Sequence, residues 1–290
     1  MKQIKYFFIT LRPYQWTKNL VVFTALIFSG HLFLVNDVKI SVLTFMLFCL
    51  VAGGVYGLND ILDRKEDINH PDKKQRPLAA RHITPQFVFW GSLFVSVIGI
   101  LGSYFINIQV TIILFIYFIL MILYSMKLKH IVIIDLIIVA LAFVLRAVAG
   151  AVAIKVAISP WLLVCAFFLA LFLVLGKRRN ELIILKENSV NHRKILGEYN
   201  SKLLDQMIAT ATATSIMSYV LYIMDSNTIA KFHTRNLIYT IPFVVWGIFR
   251  YLYLIYKKEI GGSPEKILIN DKGVLLPVML WSVLVAVILY

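Results

Sequence analysis

The chain has 290 residues, of which 60% are apolar or aromatic and 15% charged. Soluble domains usually carry about 25% charged residues, and a mean hydropathy of +0.82 leaves too few polar side chains to cover a water-facing surface. Soluble single-domain readings are excluded, and the apolar residues gather into runs near the ~20 residues that cross a bilayer as helix. The net charge of +14 would suggest nucleic acid in a soluble protein, but basic loops facing an anionic leaflet explain it first, and no nucleic acid is expected as partner.

In chain order, residues 1–18 mix Lys2, Lys5, Arg12 and Lys18 with Phe7, Phe8, Leu11 and Trp16, the pattern of an interfacial amphipathic helix. Nine spans are then predicted, at about 20–35, 40–58, 85–106, 109–125, 131–154, 157–176, 204–224, 236–256 and 273–290, the first read as retained rather than cleaved. With the N-terminus inside, 23 Lys and Arg fall on the cytoplasmic side and 4 on the other, with Arg146 and Arg250 inside spans. This predicts an internal N-terminus and an external C-terminus. The fold class expected is all-α, a polytopic membrane bundle of about nine transmembrane helices forming one domain over 1–290, with a cytoplasm-facing cavity. Its two polar loops, 59–84 and 177–203, are rich in both charge signs and are expected to carry the chemistry.

Four constellations carry that expectation. Tyr56, Asn59, Asp60, Asp63 and Asp67 step by three or four at the end of the second span, one polar face on a helix. Adjacent carboxylates repel unless a cation sits between them, and Mg²⁺, which takes carboxylates and phosphate oxygens, fits; a solvated acidic helix end is the plainer alternative. Lys73, Arg76 and Arg81 follow, basic groups that are either a positive-inside signal or, beside those acids, partners for a diphosphate or sugar phosphate. Tyr124, Lys127 and Lys129 close the fourth span, with Asp135 and Arg146 in the fifth. The two last are eleven apart, about 16 Å along one helix face, and a charge at membrane depth needs a polar cavity or a partner. Gly176-Lys177-Arg178-Arg179-Asn180-Glu181 leaves span six, where Lys177 and Glu181 at i, i+4 form either an ordinary ion pair or phosphate and metal ligands. In the functional case the spans bearing the first and fourth groups meet around one cavity. Cys49 and Cys165 are expected as buried small hydrophobes, the histidines pair into no metal spacing, and Gly261-Gly262-Ser263-Pro264-Glu265 reads as a turn into a short loop helix.

Asn59-Asp60-Ile-Leu-Asp63, the Tyr124-to-Lys127 element and nine spans together resemble the UbiA superfamily of intramembrane prenyltransferases. LRPYQWTKN (11–19), NDILDRKEDINHPDKKQRPLAA (59–80), YSMKLKHIVIIDLIIVALAFVLRAVAGA (124–151), GKRRNEL (176–182) and GGSPEKILINDK (261–272) look like its decaprenyl-phosphate phosphoribosyltransferase branch. The resemblance implies a helical bundle open laterally to membrane lipids and Mg²⁺-dependent transfer from 5-phosphoribosyl 1-diphosphate to a polyprenyl phosphate. It also implies metal ligation by Asn59 and Asp63, supported by Asp60 and Asp67, and phosphate contacts from Lys18, Tyr56, Lys73, Arg76, Lys127, Lys129 and Arg146; the functional reading of the residue pattern adds Glu181 to the metal shell and Arg81, Tyr124, Lys177 and Arg178 to the phosphate contacts. A homo-oligomer in a prokaryotic cytoplasmic membrane would be in keeping with it. Two other readings stand: an aromatic prenyltransferase with a polyprenyl diphosphate donor, against which 177–203 holds no Asp, and a secondary transporter, against which the charges cluster on one side.

Overall fold

The computed structural model describes residues 2–69, 73–185, 194–258, 261–262 and 264–290. Every regular element among them is a helix, as a bilayer requires of an open chain, since hydrocarbon offers no partner to an exposed backbone N–H or C=O. α1 is Lys2–Thr10, α2 Thr24–Ile27, α3 Val35–Leu62, α4 Arg64–Asn69, α5 Pro85–Ser103, α6 Ile108–Met126, α7 Ile134–Ala153 and α8 Pro160–Leu185. α9 is Ser201–Met224, α10 Ser226–Phe232, α11 Ile241–Lys257, α12 Pro264–Asn270 and α13 Lys272–Leu289, with 3-10 helices at Pro13–Phe23, Lys73–Gln75, Leu128–His130, Lys194–Glu198 and Asn236–Thr240. Eight helices among the described residues are long and apolar enough to cross a membrane, and the chain is a multi-pass membrane protein.

The first unit comprises Met1–Ile138 and Leu145–Ala157. α1 uses Phe7 against Phe87 and Tyr6 against His82, while Ile4, Phe8 and Ile9 stay exposed, so the amphipathic N-terminal helix is present. It stops earlier than the expected residue 18: Arg12 adopts a left-handed backbone (φ 53°), because Pro13 disfavours the right-handed helix for the residue before it.

The stretch expected as span one, 20–35, is not a long α-helix. It continues the 3-10 helix Pro13–Phe23, then α2, and runs antiparallel along α3. Leu11 meets Gly53, Asn19 reaches Cys49 at 3.2 Å, Phe23 packs on Phe45, and His31 bonds Asp37 at 2.6 Å. A 3-10 helix rises about 2.0 Å per residue against 1.5 Å for α, so the segment follows most of α3 with few residues.

α3 and α5 approach backbone to backbone. A Cβ on Gly54 would lie 2.5 Å from the Ser92 carbonyl oxygen, and one on Gly57 would lie 2.0 Å from Ser92 Oγ. Gly150 of α7 is tighter still: its Cβ would stand 1.9 Å from the Val22 carbonyl oxygen and 2.8 Å from that carbon. Neither atom is a flexible side chain. Gly150→Ala is therefore expected to destabilise by about 1–3 kcal/mol or more, the range for overpacking. Gly247→Ala on α11, where a Cβ meets only Pro277 at 3.8 Å, should gain up to about 1 kcal/mol from helix propensity. Thermal unfolding of the detergent-purified variants, followed by size-exclusion fluorescence, separates the two signs.

The second unit comprises Val139–Val144 and Ile158–Tyr290. α8 continues through Leu185, so residues 177–185 are helix, not the start of the expected loop, there being no Gly or Pro in 177–185 to end it. Residues 186–193 of that expected loop lie outside the described ones. Gly261 and Gly262 seat against the same helix, with Cβ positions 2.8 Å from the Gly176 carbonyl oxygen and 2.5 Å from Asn180 Oδ1. The expected short helix after Pro264 is α12. Asp271 caps α13 through the Val274 N–H at 3.0 Å and accepts from Arg250 Nε and Nη2 at 3.1 and 2.9 Å. Hydrogen bonding from that fork holds the Asp271 carboxyl below its usual range despite some burial.

Candidate active site

The last two turns of α3 present Tyr56, Asn59 and Asp60, and Asp63 caps the helix. The expected single polar face holds this far; Asp67 sits on the separate α4, whose first turn still bonds back, Asp67 N–H to the Asp63 carbonyl at 2.9 Å. Two pairs of oxygen donors result. Asn59 Nδ2 donates to Asp63 Oδ2 at 2.9 Å, and Lys129 Nζ is hydrogen-bonded to Asp63 Oδ1. On the other side Arg76 Nη1 bridges Asp60 Oδ1 at 3.1 Å and Asp67 Oδ2 at 2.6 Å, and Arg12 Nη2 pairs with the same Asp60 oxygen.

Asp60 and Asp67 are both only 2% exposed. Burial costs a carboxylate its hydration, and the guanidiniums of Arg12 and Arg76 supply charge-assisted hydrogen bonds in its place. The compensation is mutual: burial works against the Arg12 charge, but Asp60 first, then Tyr14, Tyr56 and Asp67, outweigh it and raise its pKa. Arg12 also lies 5.1 Å from the centre of the Tyr56 ring, a cation–π contact.

Lys129 and Arg76 thus lie against the acidic motif, Lys129 from a segment the sequence groups with Lys127 and Arg146. Lys73 is half-buried in the 3-10 turn before Arg76, Lys127 is exposed at the end of α6, and Tyr124 is half-buried one turn before it. Arg81 is exposed with a left-handed backbone, φ 60°. Lys18 donates to Gln15 Oε1 at 3.2 Å.

Arg146 sits elsewhere. It is 4% exposed, donates from Nε to Asn19 Oδ1 at 2.7 Å and from Nη2 to Tyr117 OH at 2.8 Å, and lies over the Phe48 and Tyr117 rings. Asn19 in turn bonds Cys49, ten residues before Asn59 and so about 15 Å along α3. Asp135, fully buried in the first turn of α7, complements the helix dipole there; it is a further three turns from Arg146. In the second unit, Glu181 Oε2 accepts from Arg178 Nη1 at 2.8 Å, an i, i+3 pair beside Lys177. Arg179 reaches Asp205 at 2.6 Å and stacks on Tyr256.

The residues missed from sequence are Arg12, Asn19 and Tyr117. Arg12 had been absorbed by the topology count of positive charges; Asn19, a carboxamide opening the run NLVVF, was the available signal for a buried polar partner.

Among the described residues no three His, Cys, Asp or Glu side chains converge to cage a metal. The donor set at the end of α3, a carboxamide and carboxylates, nevertheless suits a hard cation. Mg²⁺ is commonly held by one or two carboxylates, with waters and substrate phosphates completing its shell, and Asn59 with Asp63 offers oxygen donors of that kind beside the cations Lys129 and Arg76.

Residues 20–268 match the UbiA prenyltransferase family. The chain is 31% identical over 284 residues to a decaprenyl-phosphate phosphoribosyltransferase of Mycolicibacterium smegmatis, covering 93% of this chain and 88% of that one. It is 29% identical over 290 residues to the enzyme of that name from Corynebacterium glutamicum, covering 97% and 85%. Among solved structures, a UbiA homologue from Archaeoglobus fulgidus bound to GPP and Mg²⁺ superposes with a TM-score of 0.74 at 16% identity, covering 98% of this chain and 99% of that one.

Proposed function

Because the chain belongs to the UbiA prenyltransferase family and is a transferase, we propose that it moves the 5-phosphoribosyl group of 5-phosphoribosyl 1-diphosphate onto a polyprenyl phosphate. The products are polyprenyl-phosphoryl 5-phosphoribose and diphosphate. The observation that carries this reading is the convergence of Asn59, Asp63 and Lys129 beside the Arg76-bridged acids, a place where carboxylates and cations alternate. The names of relatives that align over most of both chains support the choice of donor and acceptor.

Asn59 and Asp63 would hold Mg²⁺, which supplies neutralisation of the charge growing on the leaving diphosphate. Asp60 and Asp67 support that pair. Lys129, Arg76, Lys73, Arg81, Lys127 and Lys18 bind phosphate oxygens, and Tyr56 and Tyr124 orient them. Arg146 serves as a buried clamp. The acceptor phosphate is an anion at neutral pH, so it needs positioning more than deprotonation, and no side chain is required as general base. In-line attack inverts the anomeric carbon. We place the site on the cytoplasmic face of a prokaryotic cell membrane, N-terminus inside and C-terminus outside, in agreement with the 23-to-4 division of basic residues.

A second reading, prenyl transfer from a polyprenyl diphosphate, is favoured by the fold shared with a GPP-bound homologue. It is disfavoured by the lack of any Asp in 177–203. Purified protein in lipid nanodiscs, given decaprenyl phosphate and labelled phosphoribosyl diphosphate, is expected to form a lipid product heavier by one phosphoribosyl group. Chelation with EDTA should lower that rate by about 10²-fold or more, with Mg²⁺ restoring it. Labelling only from prenyl diphosphate would establish the second reading instead.

A further inference from the structure

Arg12, Asp60, Arg76 and Asp67 form one alternating chain of charges, each guanidinium placed beside a carboxylate of the next segment. Three stretches remote in sequence end on it. Arg12 lies between α1 and the 3-10 helix Pro13–Phe23, Asp60 is on the last turn of α3, and Arg76 follows the 3-10 turn Lys73–Gln75. Arg12 takes part at a local conformational cost, since a non-glycine residue at φ 53° is held there only when its surroundings compensate. The compensation is visible. Leu11 is buried against Gly53, Trp16 Nε1 donates to the Leu11 carbonyl at 3.3 Å, and the Arg12 side chain is 11% exposed, its guanidinium over the Tyr56 ring.

We propose that Arg12 is a positioning residue for the donor site: through Asp60 it ties the N-terminal segment and the 73–81 segment to the end of α3. This sets where Lys18, Lys73 and Arg76 stand relative to Asn59 and Asp63. Asp60 then acts through Arg12 and Arg76 rather than as a ligand, which divides the acidic motif between Asn59/Asp63 for metal and Asp60/Asp67 for anchoring. The donor-binding half of this inference rests on the phosphoribosyl-transfer reading; the tie between segments does not.

The test uses the full chain in nanodiscs. Hydrogen exchange read by mass spectrometry should show Arg12→Gln and Asp60→Asn each raising amide exchange about 10-fold in both 13–23 and 73–81, with α9 unchanged. Exchange in Asp60→Asn equal to wild type in either segment overturns the tie. In steady-state assays Arg12→Gln should raise KM for phosphoribosyl diphosphate about 10-fold while kcat and the acceptor KM change by less than about threefold, as expected when a binding group is displaced. A merely structural loss would lower kcat per milligram at unchanged KM and overturn the positioning role. The double variant Arg12→Gln/Asp60→Asn should be no worse than the worse single one, and multiplying effects would show that the two act separately and sink the proposal. A wild type that is inert toward phosphoribosyl diphosphate with Mg²⁺ refutes the functional reading, and the exchange data still decide the tie. A wild type that is active, with donor KM unchanged in Arg12→Gln, refutes the positioning role alone.

Discussion

Asp63→Asn is expected to lower phosphoribosyl transfer by about 10²–10³-fold, the loss typical when one preorganised electrostatic contact to developing charge is removed. Asn keeps the shape of the side chain and can still meet Asn59, but it removes the negative charge that Lys129 pairs with and that the proposed Mg²⁺ would need. The side chain is 18% exposed at the end of a helix, so folding should be little affected. The variant's unfolding temperature should match wild type while turnover collapses, and titration with Mn²⁺ followed by electron paramagnetic resonance should show weaker binding. Asp37→Asn is the control: its carboxylate bonds His31 at 2.6 Å near the opposite end of α3, and its turnover should stay within about twofold. Near wild-type, Mg²⁺-dependent turnover in Asp63→Asn would remove this residue from the reaction.

Arg146→Met should reverse that pattern, with stability as the quantity lost. The methionine fills much of the volume but forfeits the bonds to Asn19 and Tyr117 and two ring contacts. It leaves an amide oxygen and a phenol to find new partners among apolar side chains. Hydrogen bonds between membrane helices are worth about 0.6–1.7 kcal/mol each, and a desolvated cation over a ring about 0.5–2 kcal/mol. The expected loss is about 3 kcal/mol, or roughly 5–10 °C in unfolding midpoint. Arg146→Lys should recover only part of it, because an ammonium lacks the planar fork that reaches Asn19 and Tyr117 together. An unfolding midpoint unchanged in Arg146→Met would show that this arginine is not a clamp. Adding Tyr117→Phe to Arg146→Met should cost less than it does in wild type, by about 1 kcal/mol of coupling.

The apolar runs were legible because bilayer thickness sets their length: the expected spans 85–106, 109–125 and 204–224 are α5, α6 and α9 to within a few residues. The run 20–35 was visible as apolar but not as a 3-10 helix, since hydropathy does not distinguish an i→i+3 ladder from i→i+4; what decides it is contact with α3, remote in sequence. The acidic motif was legible from its spacing and Arg76 from its place a few residues downstream, but nothing local sets Lys129, 66 positions on, beside Asp63. Arg12 was not, because a cytoplasmic arginine before proline looks the same whether it marks topology or pairs with a carboxylate 48 positions on. Arg146 was legible as an oddity only. Its neighbours come from the 3-10 segment, α3 and α6, and nothing local in 134–153 names them.

The glycine seam between α3 and α5 has a bearing on where Asn59 and Asp63, the proposed metal donors, point. Helix geometry turns about 100° per residue. Taking Gly57 as zero, Gly54 lies near 60°, Asn59 near 200° and Asp63 near 240°, so the donors face almost directly away from the contact with α5. A helix that touches its neighbour through bare backbone cannot roll about its own axis without driving a Cβ into it. The compass heading of Asn59 and Asp63 is thus set by residues within the membrane that touch no substrate, and a side chain placed at Gly57 would act on chemistry by turning the helix.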